Sequence, residues 1–380
     1  MAIDIKNLIE FVQRDIANID STGDTQRILD LARFVDRQAK TTLLMYDSTS
    51  DLPNLLDDTA DTMQLAYVAN QRRLYVNQGT WKPMEQFAPP PPPIFQGANF
   101  GYTSGGNTPP TTSNVIDKFP FSSDGNATDV GDLTVARYAS AGQSSSENGY
   151  SSGGFAPPYL NVIDKFPFAA DTNATDVGDL TVAKNSGAGQ SSTVSGYTSG
   201  GSLPAVSNVI DKFPFAADAN ATDVGDLTVA RSFSAGQSST TSGYTSGGSS
   251  PAISNVIDKF SFASDANATD VGDLTQSRQR LVGQSSSTHG YASGGISPLK
   301  SNVIDKFPFS TDTNATDVGD LTVARSLAAG QSSTTSGYTS GGFIPPLSNV
   351  IDKFPFAADA NATDVGDLTV IRSSGAGQQY

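Results

Sequence analysis

The chain contains no cysteine, one histidine and one tryptophan in 380 residues. The absence of cysteine removes disulfides, thiolate metal sites and thiol catalysis. It leaves the compartment open, because a large repeat domain holds together without disulfides on either side of a membrane. Charge is also scarce, at 16% of residues, which is too little for a disordered acidic chain. With 36 glycines and 21 prolines the composition is equally far from a helical protein, and short strands joined by polar turns fit it best. No apolar run approaches the roughly 20 residues of a membrane helix, so no membrane insertion is expected. Met1-Ala2-Ile3-Asp4 lacks the basic start and apolar core of a signal peptide, so a protein acting outside the cell that made it is expected to leave by another route, such as release within a virion. Positive charge is in deficit throughout: −4 over residues 1–97 (nine basic, thirteen acidic) and −11 over 98–380 (fourteen basic, twenty-five acidic). Such a surface repels phosphate backbones and argues against nucleic acid as a partner.

What the chain has in abundance is repetition. Asn-Val-Ile-Asp-Lys-Phe begins at Asn114, Asn161, Asn208, Asn255, Asn302 and Asn349, a spacing of 47 each time. Thr-Asp-Val-Gly-Asp-Leu-Thr recurs from Thr128 to Thr363 at the same period, and Gly-Tyr-x-Ser-Gly-Gly begins at Gly101, Gly149, Gly196, Gly243, Gly290 and Gly337. Each period reads as four short strands, in the third copy 188–192, 196–199, 208–215 and 222–228, punctuated by Gly200-Gly201, Pro204 and Asp218-Ala219-Asn220. Four strands in 40–50 residues make a propeller blade. The array opens on a second strand (100–104) and ends on a first strand (373–380), so the last segment is expected to complete the first blade. A solenoid would need polar caps at both ends, and none is visible.

Residues 1–97 follow another pattern. Ile5, Ile9, Val12, Ile16 and Ile19 form a 4-3-4-3 apolar seam, an oligomerisation surface that is compatible with a trimer. A second helix, capped by Asp24 or Thr25, would carry Ile28 to Val35. Residues 65–68 and 74–76 read as a hairpin followed by a short strand at Trp81, and five prolines (89–93) form a stiff spacer. The expected organisation is N-terminal helices for oligomerisation or docking (1–40), a small β-hairpin domain (41–87), a Pro-rich linker (88–97) and a six-bladed propeller (98–380). The chain is thus expected to be mainly β, with a small α+β domain in front.

The Gly-Gly closing the second strand, the Asn-to-Phe third strand and a basic residue after the fourth (Arg137, Lys184, Arg231, Arg278, Arg325, Arg372) resemble the kelch repeat over about 280 residues. No copy has that family's fourth-strand Trp, since Trp81 lies outside the array, so blade packing is expected to rest on Phe213-Pro214-Phe215 and its equivalents, with Ser261 replacing Pro in the fourth. The segment 65–82 and the Asn-Val-Ile-Asp-Lys-Phe-Pro-Phe repeat are similar to tail-fibre-like and virion structural proteins of marine phages (cyanophages). That resemblance implies a virion appendage, a tail fibre or spike, docked on other virion proteins through its N-terminal region as a homo-oligomer. Its propeller would present a loop face to a host-surface receptor or glycan. Two further readings stand beside it: a virion decoration or bridging protein, and a cellular kelch-like interaction adaptor.

Chemistry is sparsely represented. Asp-x-Asn-Ala-Thr-Asp-Val-Gly-Asp offers oxygen ligands that suit Ca²⁺, but not at EF-hand spacing, and the residues are read instead as a turn whose side chains bond their own backbone. Asn-Ala-Thr matches a glycosylation acceptor only as an accident of turn composition. Gln143, Gln190, Gln237, Gln284, Gln331 and Gln378 either line a polar channel or satisfy buried backbone groups near the axis. The cysteine and histidines of a kelch-type copper oxidase and the Asp-boxes of a sialidase are missing, and no enzyme, cofactor or metal is expected.

The copies differ mainly in two loops, the one after Gly-Gly and the one joining each blade to the next, which emerge on the same side of an up-and-down blade. Their apolar and basic members are the expected binding residues. In chain order these are Tyr138, Phe155, Tyr159, Phe233, Arg280 and Leu281, then Ile296, Lys300, Leu327, Phe343 and Ile344.

Overall fold

A computed structural model describes residues 96–380 and, before them, the strands Leu43–Tyr46, Gln64–Val68, Arg73–Asn77 and Trp81–Pro83. The chain divides into two compact units, Met1–Pro93 and Ile94–Tyr380. In the first unit Gln64–Val68 and Arg73–Asn77 pair antiparallel, Trp81–Pro83 follows on one edge, and Leu43–Tyr46 adds in parallel on the other. The helices expected in 1–40, with Ile5, Ile9, Val12, Ile16 and Ile19, and the prolines 89–93 lie outside the described residues.

The second unit is a six-bladed β-propeller, and no helix occurs among the described residues. In the third blade the strands are Ala188–Ser191, Ser195–Ser199, Val209–Pro214 and Thr222–Asp226, antiparallel in that order from the axis outward. The outer strand stops two residues short of expectation because Leu227 turns into the core.

Both faces of a blade are covered by neighbours, so alternate residues of a strand serve opposite interfaces. This explains the invariance of the third strand. Ile210 and Lys212 face the following blade: Ile210 joins the core of Tyr197, Leu227, Phe260 and Ala268, and Lys212 Nζ reaches Asp265 at 2.9 Å. Asp211 and Phe213 face the preceding blade, where Asp211 pairs with Lys184 at 2.9 Å and Phe213 packs on Tyr150 with ring centroids 5.5 Å apart. Phe215 stacks on the same tyrosine at 4.9 Å. The Phe-Pro-Phe segment therefore does the packing expected of it, and Phe260 and Phe262, flanking Ser261, do the same against Tyr197.

Each interface is topped by a buried ion pair. The basic residue after an outer strand crosses to the third-strand aspartate of the next blade: Arg278 to Asp305 at 2.6 Å, Arg325 to Asp352 at 2.8 Å, Arg231 to Asp258 at 2.9 Å, and Arg137 to Asp164. The carboxylate also accepts from a threonine of the preceding blade, as Asp305 does from Thr275 N (3.1 Å) and Oγ1 (2.6 Å). Arg278 Nη1 donates to Gly294 O and Val303 O, at 2.8 and 2.9 Å. Gly294 begins the Gly-Gly pair at φ +65°, and a Cβ there would run into Arg325 O. Burial pulls both members of such a pair toward neutrality, Asp352 upward and Arg325 downward, so the hydrogen bonds are what keep the charges inside.

Two further ties link neighbouring blades at the rim. Asp171, in the turn before the second blade's outer strand, takes Lys118 of the first blade at 3.0 Å, and Asn173 Oδ1 accepts from Asp132 N at 3.1 Å. The Asp and Asn of these turns thus bond the preceding blade, whereas the aspartate that follows them bonds its own backbone as expected, Gly178 N donating to Asp176 Oδ1 at 3.2 Å.

Closure repeats these contacts. Ala376–Gln379 pairs with Phe100–Thr108 as the innermost strand of the first blade, which Thr111–Pro120 and Thr128–Asp132 complete. Arg372 reaches Asp117 at 2.7 Å, Lys353 reaches Asp124 at 3.0 Å, and Tyr338 stacks on Phe121. Around the axis the innermost strands approach so closely that a Cβ on Gly142, Gly189, Gly236, Gly283, Gly330 or Gly377 would overlap the carbonyl of the preceding glycine in the ring. The glutamines border the axis but their amide donors are spent between blades: Gln143 Nε2 bonds Ser152 Oγ, Thr198 Oγ1 and Tyr197 O, all at 2.9 Å, tying one blade to the next.

Lys184 is the only lysine among the six basic positions, and an ammonium cannot fork to two carbonyls. Lys184→Arg is expected to raise stability by about 1 kcal/mol, whereas Arg278→Met, which strands Asp305, is expected to cost about 3–5 kcal/mol; urea unfolding measures both. Alkali should act through the tyrosines. Burial pushes Tyr150 and Tyr291 up to about 12 from the 10.0 of an exposed phenol. The unfolded chain therefore loses these protons first, so stability present below pH 10 is lost as the pH climbs toward 12. Unfolding midpoints measured at intervals from pH 8 to 12 should be flat up to about 10 and then fall.

Candidate functional site

In every blade the two variable loops are hydrogen-bonded to each other, which puts both on one face of the disc. The pairs are Asn107 with Ser373, Tyr138 with Phe155, Asn185 with Ser202, Ser232 with Ser249, Gln279 with Ile296, and Ser326 with Phe343. In three blades the loop after Gly-Gly is a miniature hairpin around a proline, such as Ile296–Ser297 with Leu299–Lys300 about Pro298.

At the centre of this face the loops that join successive blades close a ring of their own. Ser186 N donates to Ala139 O (2.7 Å), Phe233 N to Ser186 O (2.9 Å) and Arg280 N to Phe233 O (2.8 Å). Leu327 N then donates to Arg280 O (2.9 Å), Ser374 N to Leu327 O (2.6 Å) and Ala139 N to Ser374 O (2.7 Å). All six residues have φ between 55° and 59°, the left-handed region, and none is glycine. Such conformations persist only where surrounding structure over-determines them. The ring frames an axial cavity of ≈ 160 Å³ lined by these loops and by the innermost strands.

The expected binding residues fall into three groups. Tyr138, Phe155 and Tyr159 form one aromatic cluster, with centroid distances of 5.4 and 5.0 Å. Phe233, Arg280 and Leu327 stand on the axial ring, with the Arg280 guanidinium 5.0 Å from the Phe233 ring centre. Lys300 and Phe343 meet across two blades at 4.4 Å, with Ile296 and Ile344 half-buried beside their loops. Leu281 is different: it is 4% exposed and packs with Tyr244, Leu274 and Phe307, so it belongs to the core and not to the exposed face.

Sequence reasoning missed Leu299, which at 79% exposure is the most prominent apolar side chain described. It also missed the roles of Ala139, Ser186 and Ser374. No propensity signals a left-handed turn at Ala, Phe or Leu; only the matching position in all six loops marks it.

Charge is segregated. No aspartate or glutamate occurs in either variable loop of any blade. The twenty-five carboxylates of 98–380 are the six buried aspartates, six in the rim turns, twelve on the outer strands, and Glu147. The loop face carries two cations outside the buried pairs, Arg280 and Lys300, each set against an aromatic ring. His289 begins a second strand at the opposite end of its blade, where its Nδ1 lies 2.8 Å from Thr288 Oγ1 and burial lowers its pKa.

The chain joins the propeller at the other end of the axis. Gln96 Nε2 donates to Ser285 O (3.1 Å) and Gly97 N to Ser332 O (2.8 Å), both at the ends of innermost strands farthest from the variable loops.

No model of a known protein family matches the chain, and no curated protein does. The site therefore rests on its geometry.

A left-handed alanine is strained by about 1–2 kcal/mol relative to the right-handed form. Ala139→Gly relieves this but adds entropy to the unfolded chain. The expected net result is a gain of about 0.5–1 kcal/mol in denaturant unfolding; a loss would show that Ala139 is not strained.

Proposed function

We propose that the protein is a display protein, a virion appendage of the tail-fibre or spike type, whose propeller presents its variable face for recognition of a host surface. One observation carries this reading: Gln96 and Gly97 join the propeller at the end of the axis opposite the variable loops. Residues 96 and 97 thus leave the loop face free. The near-identical blades serve as a rigid scaffold, and variation is confined to loops that scaffold holds in place. The face combines an aromatic cluster, exposed Leu299 and Phe343 (37% exposed), two cations and no carboxylate, while the rim repels anionic surfaces. Residues 1–97 would dock on other virion proteins and oligomerise.

The Gly-Gly turns and buried basic residues favour a second reading, a kelch-like adaptor binding a protein partner through the same face. Particle fractionation separates the two. A virion appendage co-sediments with purified particles, whereas an adaptor stays with the soluble cell fraction. For the display role, the full chain should bind intact host cells, and Phe155→Ser combined with Phe343→Ser should reduce that binding about tenfold or more, given the cost of removing aromatic anchors. Unchanged cell binding by the double variant, with its unfolding midpoint retained, would sink the assignment of this face.

A further inference from the structure

The six positions of the axial ring share one backbone conformation but not one chemistry. Going round, they are Ala139, Ser186, Phe233, Arg280, Leu327 and Ser374. Three consecutive members stand out. Ser186 is 7% exposed and lines the axial cavity, and its hydroxyl meets no partner among the described residues. A buried hydroxyl left unpaired costs free energy unless something supplies its hydrogen bond. Phe233 is half-buried and offers a ring at the cavity mouth. Arg280 holds its guanidinium over that ring and has no carboxylate partner, and its Nε is buried without an acceptor. The other five arginines of the propeller are all committed to buried aspartates. Arg280 is thus the one guanidinium described here that is free to meet an anion from outside.

We propose that the axial cavity is a binding site for an acidic sugar. Arg280 takes the carboxylate, Phe233 supports a C–H face of the sugar ring, and Ser186 bonds a hydroxyl. A guanidinium matches a carboxylate as a two-pronged donor. The lining around it is suited to a sugar more than to an apolar ligand, because the innermost strands present Gly, Ser and Gln with main-chain groups, and none of the lining residues is acidic. The backbone ring fixes the three side chains' anchor points before any ligand arrives, so little ordering cost falls on binding. The axis is also where one small site can touch residues of several blades at once. This inference rests on reading the variable face as the recognition surface, and it names the chemistry recognised there.

The test uses the full chain and D-glucuronate as the probe, with D-glucose and acetate for comparison, followed by calorimetric titration. Glucuronate is expected to bind saturably, and glucose and acetate each at least about tenfold more weakly, because each lacks one half of the recognised group. Arg280→Gln should weaken glucuronate about tenfold or more, and Arg280→Lys should fall between it and the native protein. Ser186→Ala should cost a few-fold, and Lys165→Gln on the rim nothing. Unfolding midpoints identify any variant that fails to fold, in which case Arg280→Lys and Ser186→Ala decide. Four results would overturn the proposal: no glucuronate binding; acetate binding as tightly as glucuronate, which would make the site one for simple anions; glucose binding as tightly; or Arg280→Gln binding like the native protein. If any of these appears while the Phe155/Phe343 double variant still loses cell binding, only the axial site falls and the display role stands.

Discussion

A carboxylate buried between two blades is the interaction on which this architecture turns. Asp305 and its five counterparts sit on a third strand but are satisfied from the blade before, by a guanidinium or ammonium and by a threonine. Each blade therefore lacks something until its neighbour is in place, since a buried charge without its partner is far costlier than the pair. In four blades the arginine also donates to the first Gly-Gly carbonyl beside that aspartate, so the tight turn that starts those variable loops is held by the interface below it. Tyr and Phe rings pack with Ile, Leu and Ala beside each ion pair. The pair also fixes orientation, because a guanidinium accepts few alternative placements.

The radial order of side chains follows from the same logic. Nearest the axis, where strands converge, only glycine allows the approach, and polar Gln, Ser and Thr link the blades through hydrogen bonds. Further out there is room for Tyr, Ile, Leu and Phe. At the rim the contacts are Lys–Asp pairs that remain partly exposed and add little individually.

The number of blades, the closing strand and the Phe-Pro-Phe packing were all legible in the sequence, because strict periodicity and matched chain ends are local features. The role of the third strand's charges was not. Asp211 and Lys212 are adjacent in sequence but serve opposite neighbours, and nothing in one strand says which blade will meet it. The same holds for Asn173, whose partner Asp132 lies 41 residues back. The loop face was legible as a pattern of variation, but its members were not all correctly weighed. Leu281 looks exposed in sequence because its counterparts are Ser, Ala and Gly; in space it fills the core beside Ala292, where other blades carry Ser or Thr. The axial ring was not read, since its six positions hold five different residue types and only their matching place in each loop marks them.

The likeness of the blades has a cost in folding. The innermost strands 141–144, 188–191, 235–238 and 329–332 all read Ala-Gly-Gln-Ser, so the edge offered by Phe100–Thr108 is nearly as complementary to any of them as to the terminal Ala-Gly-Gln-Gln. Premature closure into a smaller ring would satisfy the same local register, a kinetic trap of the kind repeat proteins are prone to. What distinguishes the correct strand lies in its last residue. Tyr380 exchanges backbone hydrogen bonds with Phe100, accepts another from Asn99 and lays its ring 5.2 Å from Phe168 of the second blade. No other innermost strand is followed by a tyrosine, so these contacts of Tyr380 set the closing strand apart from the rest.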